Sequence, residues 1–296
     1  MHGTDHNLSA AGALGRALAA AIIMGVALGI VGLLADLYGL TAGPAHPLAT
    51  RLLVAAPVAL FVVGLIVLLR RRLDRLPLAG IGFTGPAAGL RGFLQGAGIV
   101  LASGSVVLLA LVLFGAASVS DLNAGALLGF LFTNAIVAIL FEAIPEETAI
   151  RGYALTSLRR RFGPLLAGAL DIATFLAVPL VAGLTTFLLG RLFGAGGQLQ
   201  LVPGGDDPIT YFVMLFSFGL MLIYARNATR SRTIWTGIGA HVAWLTVNRI
   251  VLTGNSSLNV QMGDMGVLLF FGCYMALAII AFSLLGEARQ AKAGER

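Results

Sequence analysis

Residues 122–151 read LNAGALLGFLFTNAIVAILFEAIPEETAIR. The part up to Phe141 carries no charge and has the length, about 20 residues, that an α-helix needs to cross the hydrocarbon of a bilayer. The part after it sets Glu142, Glu146, Glu147 and Arg151 at the end of that run. In lipid a helix satisfies its backbone polar groups within its own segment, so runs of this kind are expected to be helical. Working outward, further spans built on uncharged stretches lie near residues 13–37, 51–69, 92–118, 162–190, 208–226, 233–252 and 263–286. With 122–145 they make about eight spans. None shows the short alternating pattern of barrel strands. The expected fold is an all-α polytopic membrane protein, one membrane domain over residues 1–296.

Composition agrees. Apolar residues are 58% of the chain and charged residues 11%, where a soluble domain has about 25% charge to cover its surface. That excludes a soluble enzyme and a disordered chain. The single cysteine, Cys273, lies inside an apolar run, which excludes a disulfide framework and a thiolate zinc site. The net charge of +6 is explained by topology rather than by nucleic acid. With the N-terminus inside, every Lys and Arg except Arg51, Arg191 and Arg249 falls on the inner side, as the positive-inside rule requires. Both termini are therefore expected in the cytoplasm of a multi-pass protein, in a bacterial-type cytoplasmic membrane. The opening run reads as a span rather than a cleaved leader. Residues 70–91, beginning with three arginines, form the largest inner loop, and the Gly-rich residues 194–207 form an outer one. Asp207-Pro208 is a helix start, an N-cap followed by proline in the first turn.

Ionisable groups inside a bilayer are costly and mark candidate sites. Here they are Glu142, Glu146, Glu147, Arg151, Asp171, His241 and Arg249. Glu147 and Arg151 are spaced i,i+4 and share a helix face, so they can pair. Glu146 points about 100° away, available as a base. Asp171 can serve either as a second polar group in the fifth span or as the partner of an arginine. His241 is the one histidine within a span. The arginines at 159–161 read as interface anchors.

The stretch Glu146-Glu147-Thr148-Ala149-Ile150-Arg151-Gly152-Tyr153, followed by Leu158-Arg159-Arg160-Arg161-Phe162-Gly163-Pro164, resembles the EExxxR signature of the CPBP family, the CAAX prenyl proteases and bacteriocin-processing enzymes. Residues 234–241, ending in His241, resemble that family's later histidine motif. The likeness spans about 70–285. It implies an eight-span intramembrane endopeptidase acting on a membrane-associated or prenylated-type peptide or protein at the inner half of the membrane, with lipid as the other partner. It implies that Glu146 activates a water, that Arg151 braces Glu147, and that His241 with a nearby asparagine stabilises the oxyanion.

Two positions depart from that pattern. Where the family has FxxxH this chain has Phe175 and then Pro179, and the alternative alignment, Phe187 to Arg191, also lacks histidine. The asparagine expected four residues past His241 is Leu245, and Asn248 is the nearest one. Asp171 and Asn248 are thus possible auxiliaries. No cofactor is expected. A zinc ion would have to draw its ligands from Glu146, Glu147, Asp171 and His241, a poor set for a metal that favours histidine. Two alternatives stay open: a membrane scaffold of the same fold that has lost catalysis, and a transporter using Glu142, Glu146, Asp171 and His241 as a proton relay.

Overall fold

The computed structural model describes residues 8–195, 198–200, 202, 207–229, 232–253 and 258–294. His2, His6, Arg230, Arg296 and most of the residues 196–206 assigned to the outer loop lie outside the described residues, as does the side chain of Lys292. The elements are α1 Ala10–Tyr38, α2 Leu48–Leu73, α3 Pro86–Leu113, β1 Ala117–Ser120, α4 Ala124–Arg159, α5 Pro164–Phe193, α6 Pro208–Asn227, α7 Ile234–Val251, β2 Asn259–Met262 and α8 Asp264–Gly294. The fold is all-α and polytopic.

Seven described helices are long and apolar enough to cross a membrane: all but α7. The eighth expected span, α7, differs from these seven in composition. Residues 233–252 do form a helix, but it carries Thr236, His241, Thr246, Asn248 and Arg249 and is buried along nearly its whole length. A helix sheathed in protein need not be apolar all round. A correction concerns 92–118. The helix ends at Leu113, Gly115 turns the chain at φ 72°, and residues 117–120 become a strand. β1 pairs antiparallel with β2, Ala117 opposite Met262 and Ser120 opposite Asn259. The ribbon joins the α3–α4 and α7–α8 connections, both assigned to the same side from the sequence. The start of α6 is as expected: the Thr210 N–H donates to Asp207 Oδ2 at 2.7 Å. That bond holds the Asp207 carboxyl below the usual carboxylate range.

The chain gathers into two compact units. The first comprises the described residues of Met1–Thr41, Ala56–Ile81 and Pro145–Gly219. Its frame is α1 against α5, where Gly25, Gly29 and Gly32 bring the backbones together. A Cβ on Gly25 would lie 2.9 Å from the Val178 carbonyl oxygen. Thr186 Oγ1 donates to the Gly29 carbonyl at 3.0 Å. Without a hydrophobic drive between helices in lipid, close packing of small residues and such bonds supply the cohesion. α1 also packs on residues 147–159, so the motif segment is built into this frame.

The second unit comprises the described residues of Ala42–Ala55, Gly82–Ile144 and Leu220–Arg296. Here α3 crosses α7 through Gly92, Gly96 and Gly239. A Cβ on Gly96 would overlap the Thr236 carbonyl, and one on Gly239 the Phe93 carbonyl. α8 packs on α3 and contributes the buried Phe270, Tyr274 and Phe282.

Candidate active site

The helix that carries the glutamates is not uniform. Residues Ile139–Ala143 and Glu147–Ala154 are π-helical, flanking a short α-turn at Ile144–Glu146. Pro145 supplies the cause: it has no N–H to donate to Phe141, and its ring crowds that carbonyl. The turn before it widens, and the Ile144 N–H reaches back to Ile139 O. Such widened turns recur at functional sites. Glu146 is the last residue before the second widening, and Glu147 the first within it.

Glu147 and Arg151 pair as their spacing predicts, Arg151 Nη1 standing 3.6 Å from Glu147 Oε1. Across to α5, Arg151 Nε lies 3.7 Å from Asp171 Oδ2. The guanidinium carbon sits 4.1 Å above the Phe175 ring, whose other neighbour is Phe218 at 5.9 Å between centroids. A Cβ on Gly219 would come within 3.2 Å of Arg151 Nη2, so that position holds the smallest residue. Glu147, Arg151 and Asp171 are 0% exposed, whereas Glu146 retains 9%. Of the two adjacent carboxylates, Glu147 is fully buried and Glu146 keeps 9% exposure. Of the two roles open to Asp171, the geometry gives it the second, partner of an arginine. Phe175, the first residue of the would-be FxxxH, is the ring beneath that arginine. Pro179 is buried within α5.

A second cluster in the same unit was not foreseen. Arg16 Nε lies 2.6 Å from Asp74 Oδ1, and Arg70 Nη1 lies 3.6 Å from Asp74 Oδ2. Asp74 stands beside Tyr153 of the motif helix. Arg70 is thus an internal brace, buried at 5% exposure. The sequence signal was there: Asp74 is the one acid in residues 69–82, within an arginine-rich stretch.

In the second unit, His241 is 1% exposed on α7. Asn248, two turns on, donates to the Trp244 carbonyl and exchanges a hydrogen bond with Tyr274 OH, both at 2.9 Å. Glu142 accepts from Arg249 Nη2 at 2.6 Å. Arg249 Nη1 donates to Asn134 Oδ1 at 2.7 Å, and Asn134 Nδ2 donates to Thr246 Oγ1 at 3.0 Å. Asn134, an amide in the middle of the apolar run 122–141, was the available sign of this network. Glu142 and Asp171, two members of the supposed proton relay, are both ion-paired with arginines.

A zinc ion does not fit these residues. Pro179 replaces one histidine, Glu147 and Asp171 face Arg151, and among the described residues no three His, Cys, Asp or Glu come together to hold a metal.

Residues 128–247 match the model of the family described as Rce1-like: Type II CAAX prenyl endopeptidase Rce1-like. That segment takes in the glutamate pair, Arg151, Asp171 and His241, and stops one residue short of Asn248. No curated protein and no solved structure matches the chain. The class defined by the fold is an integral, multi-pass membrane protein, and its residues 128–247 are similar to the Rce1-like family. At the level of the family, the match supports an intramembrane endopeptidase of the CAAX-protease type.

Proposed function

We propose that the chain hydrolyses a peptide bond of a membrane-associated or prenylated-type substrate, with Glu146 as the base that activates water. The observation that carries this proposal is the division between the two glutamates: Glu147 is sealed against Arg151, and Glu146 beside it keeps access. In the reaction, a water gives its proton to the Glu146 carboxylate as its oxygen bonds to the scissile carbonyl carbon. The C–N bond then breaks and the proton passes to the leaving amine. The role proposed for His241, from its motif, is to donate to the oxyanion that forms between these steps. Glu147, Arg151 and Asp171 hold the helix that presents Glu146. The proposed orientation puts this end of α4 on the cytoplasmic side.

A second function rests on one observation, the buried Pro179 where the family has histidine. It is a scaffold of the same fold that binds membrane peptides without cutting them. Cleavage of a lipidated, membrane-embedded peptide by purified protein in detergent, with Glu146→Gln beside it, decides between the two. Intact substrate with both proteins supports the scaffold.

A further inference from the structure

The first unit gathers two arginine-rich stretches onto one face. Residues 70–75 read RRRLDR and residues 159–161 read RRR. They lie close together: Arg70 feels the charge of Arg160 and pairs with Asp74, and Asp74 stands beside Tyr153, six residues before Arg159. Residues 78–81 also pack on the motif segment 147–154. Asp74 is the only acid in residues 69–82 and 152–170. Its side chain is 0% exposed and faces Arg16 and Arg70. Arg71, Arg72, Arg75, Arg160 and Arg161 are exposed on this face. Two bare leucines flank them, Leu73 at 60% and Leu165 at 88% exposure.

We propose that this face is a binding site for anionic phospholipid headgroups. Guanidinium groups grip a phosphate with paired donors, and each arginine near an anionic leaflet strengthens association by about fivefold. The leucines fit the same occupant, since a headgroup brings acyl chains with it, which a soluble polyanion does not. The internal Asp74 links this surface to the motif helix through Tyr153, so lipid bound here braces the segment that carries Glu146. The site stands whether or not the chain is a protease.

The test uses the full-length protein in a neutral detergent, with bound lipids counted by native mass spectrometry. The probes are dioleoylphosphatidylglycerol and dioleoylphosphatidylcholine. Retention of the anionic phosphatidylglycerol alone is expected. Arg71→Ala/Arg72→Ala/Arg75→Ala should weaken it on the order of 100-fold, and Arg160→Ala/Arg161→Ala about 25-fold. Arg191→Ala, which removes an exposed charge elsewhere in the same unit, should bind as the unaltered chain does. Equal retention of both lipids overturns the proposal. So does phosphatidylglycerol binding by the triple variant equal to that of Arg191→Ala. Displacement of the lipid by millimolar inorganic phosphate contradicts a lipid site and shows a general anion site. The lipid comparison on the unaltered chain decides even if a variant fails to fold.

Discussion

Asp171 stands 3.7 Å from Arg151, reaching from α5 to the motif segment, so the arginine of EExxxR is held by two carboxylates and not by one. Removing Arg151 takes the guanidinium away from two fully buried carboxylates. Breaking a desolvated pair costs about 3–5 kcal/mol. Arg151→Ala should therefore lower the melting temperature in detergent sharply, and Asp171→Ala should do so less, because Glu147 remains. Glu146→Gln should leave it nearly unchanged. Thermal unfolding followed by tryptophan fluorescence or light scattering checks all three, and a neutral Asp171→Ala would show that the contact carries no energy.

The α3–α7 crossing predicts a steep glycine dependence. A methyl group at Gly96 or Gly239 meets a backbone carbonyl, which cannot swing aside. Gly96→Ala should cost about 2 kcal/mol or more, in the range for overpacked cores. Gly64→Ala is the control: nothing lies within 4 Å of its Cβ position, and a helical Gly→Ala gains about 0.5–1 kcal/mol. The comparison is read from the two melting curves.

Reporter fusions check the orientation. Fusions after residue 75 and at the C-terminus should report cytoplasm, and one within 194–207 the opposite side. Reversed signals would reject the inside assignment of the basic residues.

Purified protein should carry no stoichiometric zinc, because the ligand set lacks the FxxxH histidine and Arg151 holds the spare carboxylates. Elemental analysis is the measurement, and one tightly held zinc per chain would overturn the assignment of Glu147 and Asp171 to Arg151.

What could be read from the chain divides along a physical line. The long apolar runs showed most of the helices, because bilayer thickness sets helix length. The Glu147–Arg151 pair was legible because its partners lie one turn apart on one helix. The choice between two roles for Asp171 was not, since its partner comes from another helix. α7 carries more polar residues than the other spans because protein surrounds it, which hydropathy does not register. The β1 strand hid in an uncharged run, where composition alone cannot separate a strand from the end of a helix. The widening at Pro145 was within reach, because a proline inside a helix must be accommodated.

The central claim is that Glu146 is the working carboxylate and Glu147 the structural one. The direct measurement is the cleavage rate of a lipidated peptide in detergent by the unaltered protein and by Glu146→Gln, with melting temperatures taken on the same samples. Loss of cleavage by at least about 100-fold at an unchanged melting temperature is the expected result. Glu146→Gln that cleaves at the unaltered rate, or that melts as low as Arg151→Ala, would contradict it.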